Sequence, residues 1–112
     1  MQLGATLGVL IANAIWRATG LRSAGRRLIV ALGSRDENVS TIAGMCLVKA
    51  GAKALPLLQE ALDRREHLPQ VLQIIADIGE PGTEATLERF TRDPDPKVAK
   101  AARNALRVLV GA

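Results

Sequence analysis

In the closing segment DPDPKVAKAARNALRVL, the apolar residues Val98, Ala101, Ala102, Ala105, Leu106 and Leu109 fall on one face of a 3.6-residue period. That face is mostly alanine. It is too small to form a core alone and must press closely against similar neighbours. Moved back by 59 positions, Val98, Ala102, Ala105, Leu106 and Leu109 land on Val39, Ala43, Cys46, Leu47 and Ala50, and Asp95 lands on Asp36. A 28-residue shift carries Ala43, Cys46, Leu47, Ala50 and Gly51 to Val71, Ile74, Ile75, Ile78 and Gly79. A 31-residue shift the other way carries them to Ala12, Ile15, Trp16, Thr19 and Gly20. Self-similarity at such periods marks repeat architectures, and one helix type, the A-helix, occurs four times.

Each A-helix but the last is followed by a second pattern, the B-helix. AGRRLIVALG, ALPLLQEALD and TEATLERFTR align on Leu28, Leu58 and Leu87. The spacing predicts A-helices over 3–18, 37–50, 67–78 and 96–110, and B-helices over 22–33, 54–65 and 83–92. The punctuation agrees. Gly20, Gly51 and Gly79 follow the last apolar residue of an A-helix, where a C-cap favours glycine. Asp95-Pro96 sets an N-cap acceptor before a proline at the first helical position. Pro56 and Pro69 fall within first turns, where a missing N–H costs little. The expected fold is all-α: an α-solenoid of seven helices in about three and a half two-helix repeats. It forms one domain over 1–112, with repeats 3–33, 37–65 and 67–92 and a half repeat at 96–110.

The stretches DPDPKVAKAARNALRVL, SRDENVSTIAGMCLVKAGAKALPLLQEAL and LPQVLQIIADIGEPGTEATLERF resemble the short HEAT-like repeats of the phycobilisome-lyase type. The shared pattern is an acidic loop, a Val, an Ala four residues on, an Ala/Leu pair, a Gly and a second Leu-rich helix. Residues 34–110 carry it well and residues 3–33 weakly, with His67 and Gly8 standing where the motif has Val. The resemblance implies a superhelical stack whose B-helices line the concave face. Such repeats serve bilin lyases, scaffolds, regulatory subunits and some DNA-repair proteins, so no catalytic residue comes with them.

Composition narrows the chemistry. Hydrophobic residues make up 48% and charged residues 23%, a globular balance. Aromatics are 2%, only Trp16 and Phe90, so the core is aliphatic and β-rich runs are absent. Cys46 is the sole cysteine and His67 the sole histidine, which leaves no disulfide and no metal cage. Cys46 reads as a small buried hydrophobe and His67 as a solvated loop or cap residue. The cytoplasm is the expected compartment. Ser23, Ser34 and Ser40 lack a base, and the pairs Asp36/Glu37 and Asp93/Asp95 read as helix caps. The chain is expected to be no enzyme and to need no cofactor.

What remains is surface. Residues 1–35 hold Arg17, Arg22, Arg26, Arg27 and Arg35 with no acid, whereas residues 36–112 hold ten Lys/Arg against eleven Asp/Glu. Alignment on Leu28, Leu58 and Leu87 sets Ile29, Gln59 and Glu88 in one outward row and Val30, Glu60 and Arg89 in the next. A register one residue off would place Ile29 inside. The run LGATLGVLIANAIW (3–16) is apolar on nearly all sides, with Leu7, Leu10, Ile11 and Trp16 among its large members. Its 14 residues span roughly 21 Å, short of the ~30 Å hydrocarbon thickness. Gly4 and Gly8 permit close helix approach. A signal peptide is a weaker reading, because no Lys or Arg precedes the run.

The leading expectation is a non-catalytic interaction or scaffold module, binding a protein or a second copy through this apolar, basic end and the concave face. The alternative is peripheral membrane attachment through helix 3–16, Trp16 and the following arginines. Nucleic-acid binding by a basic solenoid ranks last, since aromatics that stack on bases are nearly absent.

Overall fold

Residues 3–111 of a computed structural model are described here, and they contain helices, turns and bends but no strand. The helices are α1 (Leu3–Thr19), α2 (Arg22–Ala31), α3 (Glu37–Ala50), α4 (Leu55–Asp63), α5 (Leu68–Ile78), α6 (Glu84–Phe90) and α7 (Pro96–Leu109). A 3₁₀ turn, Gly51–Ala54, fills the expected gap between α3 and α4, so helical backbone runs from Glu37 to Asp63 without a loop. By internal contacts the chain divides into two compact units that meet at Leu57 and Leu58, within α4.

The loops explain why the helices start where they do. Before α3, the Asp36 amide donates to Ser34 Oγ at 3.1 Å, and Asp36 Oδ1 accepts from the Asn38 amide at 2.9 Å. Fifty-nine residues later the same two bonds recur. The Asp95 amide donates to Asp93 Oδ2 at 3.0 Å, and Asp95 Oδ1 accepts from the Lys97 amide at 2.9 Å. The two capping residues have nearly the same backbone, φ −79°, ψ 112° at Asp36 and φ −80°, ψ 115° at Asp95. The internal copy therefore extends to the cap geometry. His67 takes the N-cap position of α5 in a left-handed conformation, φ 47°, and its side chain caps nothing. Gly79 closes α5 at φ 69°, a conformation that disfavours any side chain.

In the first unit α1, α2 and α3 pack on one another. Val9, Ala12 and Trp16 of α1 meet a core that includes Leu28, Val39 and Leu47. Gly25 marks the closest approach: a Cβ there would lie 2.5 Å from Leu57 Cδ1 and 3.0 Å from Trp16 Cδ1. Helix α2 therefore needs a glycine over the indole, despite its helix-propensity cost.

In the second unit α7 packs on α5 and α6. Ala102 and Ala105 are wholly buried, and Val98 and Ala99 nearly so. Small side chains let the helix axes close up, which is what the alanine stripe is for.

Burial also resets the B-helix register. Ala24, Gly25, Leu28 and Ile29 are buried in α2 and Leu32 just after it, as are Ala54, Leu57, Leu58, Ala61 and Leu62 at and within α4. Four of the five in each set coincide at an offset of 29 residues and three at 30, and the better match puts Ile29, not Leu28, on Leu58. The same offset carries Leu58 and Ala61 to Leu87 and Phe90, both buried. Val30, Gln59 and Glu88 are then equivalent positions, each exposed.

In the second unit an ion pair joins the α4–α5 loop to the α6–α7 loop. Arg65 Nη2 lies 2.9 Å from Asp93 Oδ2, and the Asp93 side chain is only 5% exposed. The hydrogen bond from Arg65, with help from the Asp95 amide, holds the Asp93 carboxyl below its usual range. A depressed carboxylate stabilises the fold above its unfolded value, about 3.9, and that contribution is lost as pH falls through the folded value. Urea unfolding at about pH 7 and about pH 3 is expected to show a smaller acid-induced loss in Asp93→Asn than in the unchanged chain. Equal losses would remove Asp93 from the acid response.

Candidate functional site

Helix α1 has two apolar faces. Val9, Ala12 and Trp16 turn inward, whereas Leu7, Leu10, Ile11 and Ile15 are exposed by 55, 45, 52 and 41%. The exposed four lie at helical steps of three and four and form one stripe. Leu21, the residue before α2, is exposed by 54% and extends it. Between α1 and α2 the stripe borders a groove of about 180 Å³ lined by Ile11, Ala12, Ile15, Leu21, Ser23, Ala24 and Arg27.

Of the residues expected to bind a partner, Leu7, Leu10 and Ile11 stand on this stripe, and Arg27 forms part of the groove wall. Arg22 is exposed at the start of α2 and Arg26 is half-buried. Val30 is 61% exposed on α2. Gln59, Glu60, Glu88 and Arg89 belong to the second unit and do not line the groove. There Gln59 Nε2 donates to Asp63 Oδ1 at 3.2 Å, and the Arg89 guanidinium stands 5.4 Å from the Phe90 ring centroid.

Two expectations are corrected. Ile29 is fully buried, so it does not stand outward as Gln59 and Glu88 do. Trp16 is only 4% exposed: it sits beside Gly25, and Lys53 covers its ring with Nζ 5.8 Å from the centroid. Lys53 is held there by donating to the Arg17 carbonyl at 2.8 Å, near the carbonyl end of α1. Trp16 is therefore a core side chain and not an interfacial anchor.

Ile15 and Leu21 are the residues that sequence reasoning missed. Ile15 follows Ile11 by four residues, but the repeat register set it on Cys46, which is buried. Burial pushes the Cys46 thiol up against the opposing pull of Arg17 and Lys49. Among the described residues no three His, Cys, Asp or Glu side chains stand together as metal ligands. The one helical stretch among them long and apolar enough to cross a membrane is Glu37–Asp63, a test that core helices also pass. Its Val39, Ala43, Leu47, Leu58 and Leu62 are buried within the protein.

Comparison with protein-family models, with curated proteins and with solved structures returns no match to this chain.

Proposed function

We propose that this chain is a non-catalytic docking module. It is a short stack of HEAT-like two-helix repeats, an α-solenoid, that binds another protein through the outer face of α1 and the α1/α2 groove. The observation that carries the reading is the second apolar face of α1. Four large aliphatic side chains stay in water on a helix whose opposite face already fills a core. Contiguous exposed apolar surface rimmed by charge is the usual mark of an interaction site. The repeated loop bonds and the 29-residue B-helix offset support the stacked-repeat part. The buried aromatics weigh against nucleic acid, since Trp16 and Phe90 are 4 and 8% exposed and have no face to stack on a base.

The double substitution Leu7→Glu/Ile11→Glu tests the reading. Surface changes outside a packed core stay within about 0.5 kcal/mol, so the urea midpoint is expected to hold. Fluorescence of the dye ANS, which reports exposed apolar surface, is expected to fall. A stability loss of more than about 2 kcal/mol would assign the face to the protein's own core and defeat the proposal.

A further inference from the structure

Resting on that docking reading, we infer that the occupant of the α1/α2 groove is an acidic amphipathic helix of a partner protein. Shape argues for a helix. Leu7, Ile11 and Ile15 form a straight ridge along α1 with i, i+4 spacing, roughly 12 Å from end to end. A second helix lays its own apolar stripe beside such a ridge and inserts one side chain into the adjoining groove. The groove volume of about 180 Å³ suits one Leu- or Phe-sized group, since a cavity of about 150 Å³ admits benzene. Along the same helix, a Cβ built on Gly4 or Gly8 meets nothing within 4 Å, so a neighbour can come close.

Charge selects the chemistry of that helix. Arg27 stands in the groove wall. Arg17, seven residues after Leu10 and exposed, flanks the stripe on its other side. Residues 1–35 contain no Asp or Glu. The positive end of α2 opens on the same rim, because its N-cap is Leu21, with no side-chain cap bond and no acid in the first turn. A second copy of the chain would set these arginines against their own counterparts. A helix with Asp or Glu beside its apolar stripe meets them as ion pairs at the edge of a desolvated centre.

Panning a phage-displayed library of random peptides, each about 16 residues and so roughly 24 Å of helix, against the immobilised full chain tests this. Enriched peptides are expected to carry net negative charge, with apolar residues at i, i+3 or i+4, and i+7. In fluorescence anisotropy they are expected to bind Ile11→Glu about tenfold more weakly and Arg27→Glu about fivefold more weakly. Both substitutions lie at exposed positions, and unchanged circular dichroism checks that they fold. Neutral or basic peptides whose binding still depends on Ile11 would overturn the acidic partner while leaving the docking module standing. Peptides indifferent to Ile11→Glu, or no enrichment, would overturn both. Co-sedimentation with phosphatidylcholine vesicles only when phosphatidylserine is added, lost in Arg27→Glu and without peptide enrichment, would replace the helix with a lipid surface.

Discussion

Replacing Trp16 by alanine is expected to lower stability by about 4 kcal/mol, the range measured when a buried aromatic is truncated. Whole domains are stable by only about 5–15 kcal/mol, so this one change removes a large part of the total. The indole is 4% exposed, set against α2 at Gly25 and covered by Lys53. Gly25 itself carries no side chain that could move in to fill the void. Leu10→Ala on the same helix is the control. Leu10 is 45% exposed, and its truncation is expected to change stability by less than about 1 kcal/mol. Urea unfolding followed by far-ultraviolet circular dichroism compares the two, since Trp16 is the only tryptophan and its loss removes the fluorescence signal. Equal effects would mean that Trp16 is not the centre of the first unit.

Ala102→Leu is expected to cost about 3 kcal/mol by overpacking. Leucine and alanine both favour helix, so the effect reports space and not propensity. Ala102 is wholly buried where α7 meets α5 and α6, and three added heavy atoms must push those axes apart. Lys100→Leu places the same leucine at an exposed position of the same helix and is expected to be near neutral. A neutral Ala102→Leu would show that α7 does not depend on close approach, and the alanine stripe would need another explanation.

Helix boundaries were legible because the chain marks them with groups that have one physical purpose. Asp36 and Asp95 accept from first-turn amides, and Gly79 adopts a positive φ at a helix end. The B-helix register was less legible. Leu28 and Ile29 are adjacent and both apolar, so alignment on a single leucine leaves one residue of freedom. Burial favours the other register, with four buried pairs matched (Gly25, Leu28, Ile29, Leu32 against Ala54, Leu57, Leu58, Ala61) against three at the 30-residue offset. Trp16 is instructive in the other direction. The A-helix shift sets it on Leu47, a fully buried position, and Trp16 is buried likewise. Ile15 escaped the repeat logic for a physical reason. Its equivalent Cys46 is covered, whereas Ile15 opens on the α1/α2 groove.

The account turns on whether the outer face of α1 is covered by another protein in the cell. A photoreactive benzophenone amino acid placed at Ile11, with Arg103 on α7 as the control position, measures this directly. Irradiation in the native cell is predicted to give one discrete protein adduct from position 11, lost when Leu7→Glu is added, and none from position 103. No adduct from position 11, or the same adducts from both positions, would contradict the account.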